Sequence, residues 1–281
     1  MRRSLTAAVL AVVLAPGLGC LQYNDPCQPL VDDPDSVVGY LADDVFLDKP
    51  FARHDNHALG QLAADAFRHA EDGSKAPAEL GIVNGGALRA EGLCFTRTVL
   101  PKGPLKNGPL HEVLLFENAV VTVDLTEQQL VAMLEHSVEA LSPEGQPIVS
   151  PSGAFLHVSQ GTKVSVDCAR AKGQRVVALK VNDRIVPLPA RADASPRYRV
   201  AMPDFLLQGG DGYGTIFKDA GSDLSRNPVK ARVEDGKATD ANLTEAFMRA
   251  RHSTEAQALG EDKDVRIVLN NCARPGRPVV K

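Results

Sequence analysis

The stretch EVLLFENAVVTVDLTEQQLVAMLEHSVEAL, residues 112–141, changes its hydrophobic period once, at Thr126. Residues 112–125 are mostly apolar and rich in β-branched side chains, which predicts a strand. Beyond Thr126, Leu130, Met133, Leu134, Val138 and Leu141 recur at three- and four-residue spacing, which predicts a helix with one apolar face. Thr126 followed by Gln129 fits a capping box at its start. A strand that feeds directly into such a helix needs a sheet on which the helix can bury its stripe.

The flanking segments extend the pattern. ALGQLAADAFRHAE (58–71) places Leu59, Leu62, Ala63, Ala66 and Phe67 on one helical face, and ELGIVNGG (79–86) reads as a short buried strand entering a turn. TKVSVDC (162–168), RVVALKVN (175–182) and YRVAM (198–202) read as strands of a mixed or antiparallel sheet. LTEAFMRARH (243–252) reads as a last helix and VRIVLNN (265–271) as a last strand. No internal repeat or long linker divides them. The expectation is one α+β domain over residues 37–275, a single mixed-sheet domain with helices packed on it, followed by a tail at 276–281.

Residues 1–19 carry two arginines, an apolar run from Leu5 to Leu14 and small residues before Cys20, the pattern of an export signal too short to span a bilayer. The Gly-Cys junction resembles a bacterial lipobox, so Cys20 is the expected lipidated N-terminus, with plain secretion as the alternative. Residues 20–36, rich in Pro and Asp, are expected to form a tether. The chain is then predicted to sit in the cell envelope, touching membrane through the lipid anchor alone. Without the leader arginines the balance is 29 basic against 35 acidic residues, −6, with no basic run. Nucleic acid is therefore excluded as a partner. Cys27, Cys94, Cys168 and Cys272 form an even set in an oxidising compartment, which predicts two disulfides. Three pairings remain open; one of them ties the ends together through Cys27 and Cys272 and leaves Cys94 with Cys168.

Three polar clusters sit where strands end: IVNGGALR (82–89), LLFENAV (114–120) and DFLLQGGDGYG (204–214). Asp211 among glycines argues against a phosphate cradle, because the carboxylate repels phosphate. It suits hydroxyl or amine donors, or else the stretch is a plain tight turn. Phe116 and Phe205 have faces on which a base can stack, or they are core residues. Arg89 offers a planar fork to phosphate oxygens, or is a surface charge. Asn84 is a ligand donor or a turn former.

In this order the clusters resemble the C-terminal domain of the 5'-nucleotidase and UDP-sugar hydrolase family. Asn84, Gly86 and Arg89 match the family's Asn-x-Gly-x-x-Arg turn, and Phe116 with Asn118 its Phe-x-Asn. PSGAFLHVS (151–159) resembles its Ser-Gly-Ala-aromatic segment, which brings in Gly153, and Phe205 through Gly212 match its Phe-Leu-x-x-Gly-Gly-Asp-Gly. Arg53, in RHDNHALGQLAADA (53–66), is similar to a ligand-binding Arg, although Ala58 stands where the family has Asn. The resemblance implies a nucleotide pocket: Phe116 and Phe205 sandwich the base, Asp211 accepts ribose hydroxyls, and the Asn and Arg side chains fix base, sugar and phosphate.

In that family the metal centre lies in a separate N-terminal metallophosphatase domain, and only a leader and a short tether precede residue 37 here. The expectation is nucleoside or nucleotide binding with no catalytic residue, metal ligand or cofactor of its own, and hydrolysis only with a separate metallophosphatase subunit. His54 and His57 are expected at the surface or the pocket edge. The alternatives are a degenerate envelope scaffold without ligand binding, and an independent hydrolase using His54, Asp55 and His57.

Overall fold

Thr126 starts its helix as the sequence predicts: Gln129 N donates to Thr126 Oγ1 at 3.2 Å, and Thr126 N donates to Gln129 Oε1 at 3.0 Å. The helix that follows lies in a computed structural model that describes residues 28–70, 77–89, 98–149, 152–191, 196–219, 222–223, 229–231, 238–260 and 265–276. Its first elements are β1 (Val37–Leu41), β2 (Val45–Phe46), α1 (Lys49–His54), α2 (Ala58–Arg68) and β3 (Leu80–Asn84). The middle of the chain holds β4 (Val99–Leu100), β5 (Gly103–Lys106), α3 (Asn107–Val113), β6 (Val120–Thr126), α4 (Glu127–Val138) and β7 (Leu156–Val158). Next come β8 (Thr162–Asp167), β9 (Val176–Val181), β10 (Arg184–Val186), β11 (Arg197–Pro203) and α5 (Asp204–Leu207). The last are β12 (Lys218–Asp219), β13 (Ser222–Asp223), β14 (Val229–Lys230), α6 (Asp240–Arg251) and β15 (Ile267–Asn270).

Two larger sheets organise these elements. One runs β14-β6-β11-β3-β7, with β11 parallel to β3 and antiparallel to β6; the other runs β10-β9-β8-β15, with β15 parallel to β8. Leu80, Ile82, Val121, Val123, Leu125, Val200 and Met202 form one face of the first sheet. They pack on Leu130, Met133 and Leu134 of α4 and share a core with Val164, Val166, Leu179 and Val181 of the second sheet. On the opposite face Val83, Val120 and Ala201 meet Ala63, Ala64 and Phe67 of α2. Each fully buried Leu or Val in these layers contributes about 1.5–3 kcal/mol. The α+β reading with a mixed sheet and packed helices holds.

Two segments differ from expectation. EVLLF is no strand: α3 runs through Val113, and the strand begins only at Val120. Leu110, Val113 and Leu114 are all buried at helical spacing, a pattern that a continuous apolar run conceals. The end of the segment read as a tether is docked. Pro34 O and Ser36 O accept from Gly108 N and Asn107 N, and Asp33 accepts from the Asn107 side chain at 2.8 Å.

Candidate functional site

β3 and β11 are parallel neighbours and end together, at Asn84 and Pro203, while β6 and β7 run antiparallel to them and begin at that same edge. Pro203 pairs with Val120, and Asn84 with Leu156. The loops leaving β3 and β11, and those entering β6 and β7, therefore meet at one end of the sheet. This is where ligand sites form in open sheets, because loops converge there on a rigid frame. Arg53 reaches the same edge from the end of α1.

These loops enclose a cavity of about 380 Å³ lined by Arg53, Asn84, Arg89, Phe116, Asn118, Gly153, Phe205 and Asp211, with Gly86 and Ala87. All eight residues singled out from the sequence thus lie around one space. Phe116 is 43% and Phe205 40% exposed, so neither ring is a core residue. The Arg89 guanidinium lies 4.5 Å from the centroid of the Phe116 ring, a cation–π distance that fixes both groups.

Asp211 is held from several sides. Asn84 Nδ2 donates to its Oδ2 at 2.6 Å, while Asn84 Oδ1 is buried without a hydrogen-bond partner among the described residues. A Cβ on Gly153 or Gly86 would come within 2.7 or 2.8 Å of the Asp211 carboxylate, so any larger residue at either position would push the carboxylate aside. The Phe205 ring lies over Gly210, where a Cβ would fall 2.3 Å from ring carbons. Gly209 and Gly212 take φ of +107° and +87°, conformations open to glycine.

Asn118 is oriented by a residue far along the chain. Its Nδ2 donates to Asp240 Oδ2 at 2.9 Å, and Asp240 N donates to Asn118 O at 2.9 Å. Asp240 is fully buried, and burial raises its carboxyl to about 6. Neither Asp240 nor His136, whose Nε2 lies 2.8 Å from Asp211 O, was singled out from the sequence. Both act across long sequence separations and carry no local motif, though Asp240 follows Thr239, a recognisable helix cap.

The histidines of RHDNHALG are elsewhere than expected. His54 and His57 are 1% and 5% exposed, inside the protein rather than on its surface. His57 Nε2–H donates to Phe46 O at 2.8 Å, and burial lowers this histidine to about 4. Asn56 between them pairs with the edge of β15, donating to Ile267 O at 2.8 Å and accepting from Ile267 N at 3.1 Å. The segment fastens the turn between α1 and α2 to the second sheet. Among the described residues no group of three or more His, Cys, Asp or Glu side chains is placed to hold a metal ion. His54, Asp55 and His57, the described residues of that segment that could ligate a metal, form no such group.

Cys168 and Cys272 form a disulfide. Of the three pairings left open, this excludes the one that joins Cys27 to Cys272 and Cys94 to Cys168: β8 and β15 are adjacent parallel strands, and each carries one of the bonded cysteines just past its end. Cys20, Cys27 and Cys94 lie outside the described residues. Among the described residues no helix is long and apolar enough to cross a membrane.

A family model of the 5'-nucleotidase C-terminal domain matches residues 37–219. A 5'-nucleotidase-related protein of Glossina morsitans morsitans is 30% identical over 204 residues, covering 69% of this chain and 34% of that one. The trifunctional nucleotide phosphoesterase protein YfkN of Bacillus subtilis is 28% identical over 250 residues, 83% of this chain and 15% of its own. Among solved structures, the 5'-nucleotidase precursor of Thermus thermophilus superposes with a TM-score of 0.60 at 28% identity, covering 84% of this chain and 40% of that one. The chain thus spans about a third or less of the length of these two curated relatives.

Proposed function

The chain belongs to the 5'-nucleotidase C-terminal domain family, and from that premise we propose that its cavity binds a nucleoside or nucleotide. One observation carries the reading: two half-exposed phenyl rings, two arginines and one carboxylate, drawn from four stretches of the chain, surround a single cavity of about 380 Å³. That volume lies in the range of small-molecule sites. A base stacks against Phe116 and Phe205, the ribose hydroxyls donate to Asp211, and a phosphate meets Arg53 or Arg89. The chain acts in the cell envelope, held by lipid at Cys20. Hydrolysis of a bound nucleotide draws on a separate metallophosphatase subunit. With divalent metal added, the purified chain alone is expected to leave AMP and a UDP-sugar intact; turnover abolished by His57→Ala would overturn this.

Titration calorimetry with adenosine, AMP and a UDP-sugar tests the binding. Asp211→Asn swaps an accepting oxygen for a donor and should cost about 1.5–3 kcal/mol, roughly tenfold or more in affinity. Phe205→Ala should cost about 1–3 kcal/mol with every base, since stacking is indifferent to hydrogen-bond pattern. Its melting midpoint should move little, because the ring is already 40% exposed. A large drop in midpoint for Phe205→Ala, with adenosine affinity of Asp211→Asn unchanged, would leave residues 205–214 as a turn and the domain as a scaffold.

A further inference from the structure

Asp211 stands in the left-handed region, φ 50° and ψ 24°, which residues with a Cβ seldom occupy. Asp tolerates that region better than most, and a hydrogen bond from outside the turn would hold the backbone and with it the direction of the carboxylate. We propose that His136 is the positioning residue that supplies this hold, and that α4 thereby sets the grip of Asp211 on ligand hydroxyls.

His136 lies in the last turn of α4, and its Nε2–H donates to Asp211 O at 2.8 Å. Its Nδ1 lies 3.5 Å from Glu139 Oε2. A Cβ on Gly212 would come within 2.9 Å of His136 Nε2, so the following residue leaves room for the imidazole. The ring meets Tyr213 edge-on, centroids 4.7 Å apart at 88°. Tyr213 OH in turn donates to Ala154 O at 2.5 Å, beside the Gly153 that abuts the Asp211 carboxylate. Leu156 N donates to the neighbouring Ser137 Oγ at 2.8 Å. One helix end thus ties the Asp211 loop and the Gly153 loop to a single rigid element.

The inference rests on the reading of the cavity as a nucleoside site, and its test separates the two. Calorimetry on the full chain compares adenosine with 2',3'-dideoxyadenosine, which keeps the base and lacks the hydroxyls that Asp211 would accept. Wild type should prefer adenosine, and Asp211→Asn should lose that preference. His136→Phe should weaken adenosine about five- to tenfold and leave dideoxyadenosine within about twofold. His136→Gln, whose amide N–H replaces the Nε2 donor, should retain the wild-type preference. Adenosine affinity unchanged in His136→Phe while Asp211→Asn loses it would overturn the role of His136, as would equal weakening of both ligands. If wild type binds neither ligand, the nucleoside reading fails by itself; if it binds the two alike, Asp211 does not read the hydroxyls and the role of His136 is overturned. Nitrogen-15 spectra of the unliganded chain test the hold on the loop without any ligand. The His136 ring should carry a proton on Nε2, and an unprotonated Nε2 would overturn the proposal.

Discussion

Replacing Cys168 and Cys272 together by alanine should destabilise the domain by about 4 kcal/mol, the largest effect expected of any change named here. The bond spans 104 residues, and closing a loop of that length restricts the unfolded chain by about 4.7 kcal/mol in the entropic account. The native state gives the tether a further reason. Among the described residues β15 pairs only with β8 within its sheet, and its outer edge is met by side chains such as Asn56, so the disulfide anchors the strand just past its last ladder pair. Both cysteines are buried, at 1% and 7% exposure. Urea unfolding of the oxidised protein, the reduced protein and the double variant should show the last two alike and well below the first. Alkylation of the unreduced, denatured chain should leave both thiols unlabelled. A difference below about 1 kcal/mol would mean that the reduced chain is held together by other means.

The features legible in the sequence are those that act within a turn or two of themselves. The stripe of α4 and its capping box need no knowledge of the rest of the chain, and Leu130, Met133 and Leu134 are buried as their spacing requires. Asn84, Arg89, Phe116, Asn118, Phe205 and Asp211 are recognisable because each sits in a short ordered motif at a strand end, and the parallel pairing of β3 with β11 brings those ends together. Other features depend on neighbours that the sequence does not reveal. Asp240 acts on Asn118 across 122 residues and His136 on Asp211 across 75. His54 and His57 depart from expectation because polarity suggests a surface, whereas burial here favours the neutral imidazole and the Phe46 carbonyl accepts from His57 Nε2. The EVLLF segment departs from it because an unbroken apolar run fits a helix end as well as a strand.

The buried histidines lead to the second large expectation: stability should fall by about 3 kcal/mol between about pH 7 and pH 5. Burial lowers His57 to about 4 and His157 to about 3, while the unfolded chain titrates near the ordinary value of about 6.5. Below that value unfolding takes up a proton at each site, so stability present above about pH 6.5 is lost as pH falls toward the folded values. At about 1.36 kcal/mol per pH unit per proton, each histidine removes about 2 kcal/mol by pH 5. The charged surroundings act in the same direction, since Arg266 disfavours a positive His157 and Arg53 a positive His54, which is also lowered by burial. Asp240 opposes them. Its folded value of about 6 lies above the unfolded carboxyl, so the folded state binds its proton first and regains about 1.3 kcal/mol between about pH 7 and pH 5. The variants separate these contributions. His57→Gln can still donate to Phe46 O but cannot titrate, and its loss over this window should be smaller by about 2 kcal/mol. Asp240→Asn removes the opposing group and should steepen the loss to about 4 kcal/mol. Urea midpoints measured across the window check the set, and a flat profile in wild type would show that His57 and His157 are not held neutral by burial.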